Sequence, residues 1–185
     1  MYTLTQVLNV RWKGLKKIVS VIDDDVDISK LFYEVLRENF NGVDVFSFTD
    51  PVLALKHFAE NISAYVLVIS DLRMPGLNGL ELLKKVKDSD SNFRTILMSA
   101  YNFDEDKLFQ EYIEKGIIDS NIEKPVTIHR LCQRVRDELE TYQLTNSWKL
   151  WPIIQKCFLR SLSSRFVSKF VSGQRTFVLS CNSSS

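Results

Sequence analysis

Val68-Ile69-Ser70-Asp71-Leu72-Arg73-Met74-Pro75-Gly76 is the stretch on which the reading of this chain turns. An apolar run ends on one aspartate, and a Pro-Gly turn follows within five residues. Such a run predicts a buried strand that delivers a single carboxylate to the end of a sheet before the chain turns away. The plainer reading is an aspartate that only caps a turn. What decides between them is whether other polar groups arrive at the same place.

Working outward, Tyr65 to Ser70 is the most apolar run in the chain and is expected to be a central strand. Upstream, Ile18-Val19-Ser20-Val21-Ile22 is β-branched, suits a strand buried on both faces, and stops at Asp23-Asp24-Asp25. Ile28, Leu31, Phe32, Val35, Leu36 and Phe40 recur at helical spacing, with Asp27 as the expected N-cap and Asn41-Gly42 as the stop. Val43 to Phe48 alternates as a second strand, and Thr49-Asp50-Pro51 opens a helix carrying Leu53, Leu55, Phe58 and Ala59. Downstream, Leu80, Leu82, Leu83 and Val86 define a helix, and Thr95 to Ser99 a strand. A helix with Leu108, Phe109, Tyr112 and Ile113 follows, closed by Gly116. Ile117-Ile118 opens a fifth strand before Lys124-Pro125, and Ile128, Leu131, Val135 and Leu139 form the last helix.

Strands alternating with helices in this way require a mainly parallel sheet, right-handed crossovers and helices on both faces. Ligands of such sheets bind beyond the carboxyl ends of the strands. Asp23 and Asp24 follow the first strand, Asp71 ends the third, Ser99 ends the fourth and Lys124 follows the fifth, so all five polar groups converge on one edge. Clustered carboxylates repel, by roughly 4 kcal/mol for two charges 4 Å apart at an effective dielectric near 20, and so titrate upward or recruit a cation. An all-oxygen cluster suits Mg2+, which prefers to share its coordination with phosphate. Together with the Lys124 ammonium and the Ser99 hydroxyl, that set fits phosphoryl transfer onto Asp71. Asp25 is read as a helix-proximal acid rather than a ligand, and His57 and His129 as ordinary helix residues without a partner spacing.

Residues 17–141 resemble a receiver (CheY-like) domain of the two-component response-regulator family. The acidic pair Asp23-Asp24, Asp71 with Met74-Pro75-Gly76, Gly79, Ser99-Ala100 and Lys124-Pro125 carry the resemblance in order and spacing. It implies a (βα)5 doubly wound, five-stranded parallel sheet of flavodoxin-like order 2-1-3-4-5. Asp71 would be the phosphoacceptor, Asp23, Asp24 and the Arg73 backbone carbonyl would complete a Mg2+ site with it, and the Lys124-Pro125 bond would be cis. It further implies a cytoplasmic, non-enzymatic module, phosphorylated by a sensor histidine kinase or phosphotransfer protein. Its downstream protein target is unknown, and receivers also pair with one another. The chain departs from the family at Asn121, three residues before Lys124, where an aromatic switch residue is common. Tyr101, two beyond Ser99, is read as shading the site from water or lying exposed, with a switching role as the lesser alternative. Bulky Arg73 and Tyr101 occupy positions that set phosphoryl lifetime in the family, so slow self-dephosphorylation is expected.

The net charge of +1 conceals an uneven distribution, for all 23 acidic residues precede residue 141 and the segment after it holds basic residues only. Residues 1–16 are expected to be an extension, and 142–185 a basic, Ser-rich tail with a short amphipathic helix near 156–172. That helix could pack on the receiver, lie on a membrane surface or dock a partner, or contact nucleic acid as part of a transcription regulator; the first reading leads, and no helix-turn-helix pattern supports the last. Cys132, Cys157 and Cys181 are far apart and are expected to be free thiols. Charges at Arg11, Lys13, Lys16 and Lys17 interrupt any signal-peptide core at the N-terminus.

Overall fold

The computed structural model describes residues 17–90, 92–100 and 107–147. The chain divides into two compact units, Met1–Thr145 and Asn146–Ser185, and nearly all described residues belong to the first. Its elements run β1 (Ile18–Ile22), α1 (Val26–Asn39), β2 (Asp44–Phe48), α2 (Pro51–Asn61), a short 3-10 turn (Ile62–Ala64) and β3 (Tyr65–Asp71). They continue with α3 (Gly79–Ser89), β4 (Arg94–Ser99), α4 (Lys107–Glu114), β5 (Ser120–Glu123) and α5 (Ile128–Ser147). All four pairings are parallel and the order is β2-β1-β3-β4-β5, as expected from the sequence.

Strand periodicity divides the core in two. Ile18 and Ile22 of β1 join Tyr65, Val68 and Leu97 in a cluster with Ala54 and Phe58 of α2 and Leu82, Leu83 and Val86 of α3. Val19 and Val21 face the other way, onto Phe32 and Leu36 of α1 and Leu131 and Val135 of α5. The two layers thus pack the strands from both faces.

Local chemistry differs from expectation at several boundaries. The N-cap of α1 is Asp25, not Asp27: its carboxylate accepts from the Asp27 and Ile28 amides at 2.9 and 3.1 Å. Asp50 caps α2 as anticipated, with Pro51 in the first turn. The fifth strand begins at Ser120; Ile117 and Ile118 lie in the preceding loop, buried there by side chains rather than by a ladder. Leu31 and Leu53, counted in the apolar helix faces, are 45% and 57% exposed, because a helix laid on one sheet face buries only a narrow stripe. Helix α5 runs to Ser147, two turns past Leu139. Residues 1–16, the tail helix near 156–172, Cys157 and Cys181 lie outside the described residues; Cys132 is a free thiol. No helix among the described residues is long and apolar enough to cross a membrane.

Candidate functional site

The parallel register delivers the predicted residues to one edge. Asp71 is the last residue of β3 and pairs with Met98, one residue before Ser99 closes β4. The loop after β3 is tied down on both sides: the Leu72 amide donates to the Met98 carbonyl and the Gly79 amide to the Leu72 carbonyl, each at 2.9 Å. Asn78 caps α3 through the Glu81 amide at 2.9 Å. Ser70 turns its hydroxyl onto the Asp71 carbonyl at 2.9 Å. Gly79 begins α3 so close to that carbonyl that a Cβ would sit 2.1 Å from its oxygen. The Asp71 backbone is therefore held from three directions before its side chain is considered.

The carboxylates of Asp23, Asp24 and Asp71 each present an oxygen within 4.8 Å of the others. Asp23 is 1% exposed and Asp71 6%, whereas Asp24 is open to solvent. Lys124 reaches across from beyond β5 and places its ammonium 2.8 Å from Asp71 Oδ1 and 3.1 Å from Asp23 Oδ2. Burial raises the Asp23 carboxyl above the usual range, with the Asp71 charge adding to it, while the Asp25 amide and Lys124 pull the other way. Burial by itself would lower Lys124, but hydrogen bonds to Asp71 and Asp23 and their charges outweigh it and raise the ammonium. One cation thus serves two partly desolvated anions, and a third carboxylate at their side leaves negative charge in excess.

A cavity of about 410 Å3 opens over Asp71, walled by Leu72, Arg73, Ser99, Ala100 and Lys124. Ser99 is buried, its carbonyl accepting from the Lys124 amide at 2.7 Å, and Arg73 is exposed on the rim. The Lys124-Pro125 peptide is cis. Leu72 and Ala100, which the sequence marks only as parts of the Val68–Gly76 stretch and of the Ser99-Ala100 pair, line the same cavity. Asp25 is spent on the helix cap, as its bland reading required. His129 is exposed, and His57 lies away from the cluster, its Nδ1 2.7 Å from the Tyr65 hydroxyl. Asn121 sits on β5 opposite Leu97, exposed to solvent; Tyr101 lies outside the described residues.

The donor set is oxygen only, compact and over-negative, and so fits a hard divalent cation such as Mg2+ held by Asp23, Asp24 and Asp71.

Comparison with known proteins gives one consistent answer. Residues 19–136 match the model of the response regulator receiver domain. The chain is 32% identical over 124 residues to the sporulation initiation phosphotransferase F of Bacillus subtilis (strain 168), covering 67% of this chain and 91% of that protein. It is 31% identical over 121 residues to the transcriptional regulatory protein FixJ of Bradyrhizobium diazoefficiens, covering 65% of this chain but only 56% of that one. Among solved structures, a response regulator receiver domain protein from Clostridium thermocellum superposes with a TM-score of 0.61 at 22% identity, covering 70% of this chain and 98% of that one, which speaks for the fold.

Proposed function

This chain belongs to the response regulator receiver domain family, and from that premise we propose that it is a phosphorylation-switched signalling module of a two-component pathway whose phosphoacceptor is Asp71. The donor is the phosphohistidine of a sensor kinase or phosphotransfer protein. An Asp71 carboxylate oxygen attacks phosphorus, the P–N bond to the donor imidazole breaks, and its electron pair leaves with the imidazole. The product is an acyl phosphate on Asp71. Lys124, already on Asp71 Oδ1, pairs with the transferred phosphoryl oxygens, and the Ser99 hydroxyl on the same cavity wall donates to them. Asp23, Asp24, Asp71 and the Arg73 carbonyl are the residues that would hold Mg2+, which when bound supplies positive charge against the spreading negative charge of transfer.

The observation that carries this reading is the Lys124 ammonium within 3.1 Å of both Asp71 and Asp23, beneath an open cavity. The relative named as a phosphotransferase, matched over most of its length, supports a relay role. Chemistry on the chain is confined to accepting the phosphoryl group and losing it slowly, with Arg73 on the rim hindering water. The module works in the cytoplasm and controls a partner protein.

The test is labelling from acetyl phosphate with Mg2+. The parent chain should gain one phosphoryl group, and Asp71→Asn should gain none. Equal labelling of the two would refute the acceptor assignment.

A second reading makes the chain a transcription regulator whose basic tail contacts DNA. It draws on the FixJ likeness and on the six basic residues after residue 140. Binding to mixed duplex DNA, with and without residues 142–185, separates the readings: salt-sensitive binding lost on truncation favours the second.

A further inference from the structure

Two Asn-Gly pairs occur in this chain, Asn41-Gly42 and Asn78-Gly79. Both are set between bulky apolar residues, Phe40 and Val43 around the first, Leu77 and Leu80 around the second. Their sequence contexts are alike, so a difference in how they react must come from the fold. Such a pair carries its own nucleophile, because glycine has no Cβ to keep its amide nitrogen away from the asparagine side chain.

The structure treats the two pairs in opposite ways. The Asn78 side-chain oxygen accepts from the Glu81 amide at 2.9 Å as the cap of α3. Gly79 is buried, and its amide donates to the Leu72 carbonyl at 2.9 Å, so that proton is engaged and shielded from solvent. Asn41 and Gly42 instead form an exposed turn between α1 and β2, where Gly42 has a φ of +89°. Nothing lies within 4 Å of the Gly42 Cβ direction, and the turn borders a cavity of about 300 Å3. Among the described residues, no hydrogen bond holds the Asn41 side chain or the Gly42 amide.

We propose that Asn41 is a site of spontaneous modification, converting to aspartate and isoaspartate through a cyclic imide closed by the Gly42 amide, while the fold protects Asn78. Solvent base takes the Gly42 amide proton and the nitrogen attacks the Asn41 side-chain carbonyl carbon. A C–N bond forms, the bond from that carbon to the side-chain nitrogen breaks, and ammonia leaves with the electron pair and a proton from solvent. Water, the only co-reactant, then opens the imide at either carbonyl. Opening on one side gives aspartate; opening on the other runs the main chain through the former side chain. Either product adds a negative charge. Isoaspartate also threads an extra methylene into the backbone just before the edge strand β2, whose first residue is tied by its amide to the Lys17 carbonyl at 2.7 Å.

Reaction at Asn78 needs the cap and the Gly79 amide bond to open first. Two interactions of ordinary strength disfavour that opening by roughly thirtyfold. The close packing of Gly79 against the Asp71 carbonyl adds to the protection.

The experiment ages the full chain in mildly alkaline buffer and follows both asparagines by peptide mass mapping. The Asn41 peptide should gain a single mass unit, resolve into two products and, in heavy-oxygen water, take up one heavy oxygen. Asn78 should react at least about thirtyfold more slowly. Urea should bring the two rates together. Asn41→Gln keeps the amide but enlarges the ring that must close, and should leave that position unmodified. Asp71 lies at the other end of the parallel sheet, so Asp71→Asn should age at Asn41 as the parent does, which makes the result independent of the acceptor assignment. Asn78 reacting as fast as Asn41 in the folded chain, or a gap that survives urea, would overturn the proposal.

Discussion

Gly79 offers the sharpest test of how the fold positions Asp71, the proposed acceptor. A methyl group at this position would lie 2.1 Å from the Asp71 carbonyl oxygen, 2.9 Å from its carbon and 3.0 Å from Leu97 Cδ1. A carbon and a carbonyl oxygen settle at about 3.3 Å, so something must yield by more than about 1 Å. The oxygen has little freedom, being held by the Ser70 hydroxyl, and Leu97 is fully buried behind it. The start of α3 or the end of β3 must move, and the Gly79 amide bond to Leu72 is strained in either case. Overpacking of this kind costs about 1–3 kcal/mol. An ångström's displacement at a reacting group costs roughly 100-fold in rate.

Gly79→Ala should therefore melt lower by the equivalent of about 2 kcal/mol and, where it is fully folded, label from acetyl phosphate roughly 100-fold more slowly than the parent. Gly116→Ala is the matched control. Gly116 has a φ of +66° and nothing within 4 Å of its Cβ direction, so alanine there costs only about 1 kcal/mol of backbone strain. It should lose stability and keep the parent's labelling rate. If Gly79→Ala, folded and equally loaded with Mg2+, labels within threefold of the parent, close packing against Asp71 does not position the carboxylate and the reasoning fails.

Lys124→Ala removes the one cation that the described residues place between Asp71 and Asp23, leaving a buried carboxylate uncompensated. The variant should unfold about 3 kcal/mol more easily without Mg2+ and recover much of that loss with it; chemical denaturation in chelator and in Mg2+ checks both. Asp119 accepts from Lys87 and Arg94 at 2.8 Å and from the amide and hydroxyl of Thr95 at 2.8 and 3.0 Å. Asp119→Ala leaves the Lys87 ammonium, whose side chain is 8% exposed, with the Phe93 carbonyl but without its counter-charge, and should cost about 3–5 kcal/mol in urea unfolding. Lys17 gives a pH dependence: folded at about 8 and unfolded near 10.5, it binds fewer protons in the folded state between those values. Its penalty is complete below about pH 8 and fades as pH rises toward 10.5, so stability should climb across that window by at most about 3 kcal/mol. Tyr65, pushed up to about 12 by burial, acts oppositely above pH 10, so the comparison with Lys17→Met below that point isolates the lysine.

What the sequence made legible follows from how local each signal is. Strands such as β3 announce themselves because all seven residues are buried and apolar up to the final Ser-Asp. The edge that carries Asp71 was legible because a parallel sheet sends every strand's carboxyl end to the same side, so order along the chain becomes proximity in space. Asp23, Asp71 and Lys124 then meet although Lys124 and Asp23 are 101 residues apart. Where this logic has no purchase, reading failed. Lys87, Arg94, Asp119 and Glu138 each look like surface charges in sequence, yet they join the end of α3, β4, the loop just before β5 and α5, with Arg94 Nε 2.6 Å from Glu138 Oε2. Their separations, 32 residues for Lys87 and Asp119 and 44 for Arg94 and Glu138, follow no periodicity that a helix or strand imposes.

The same contrast bears on how the proposed phosphorylation of Asp71 would be read out. At the Asp71 end, the fold gathers three carboxylates and one ammonium at a site whose charge would change on phosphoryl transfer. At the opposite end, the Asp119 network fixes β4 to α3 and α5 with paired charges that have no reason to move. A charge change at Asp71 is therefore expressed near the strand ends that carry Ser99 and Lys124, while the network holds the other ends of β4 and β5 in place. Asn121, small and exposed on β5, has no ring to swing inward. Under the proposed function the surface that would report phosphorylation is the β4 and β5 ends around Ser99 and Lys124, and hydrogen exchange with and without acetyl phosphate should change there and stay constant at Thr95 and Asp119. Protection that shifts at Thr95 as much as at Ser99 would show that the paired charges are not an anchor.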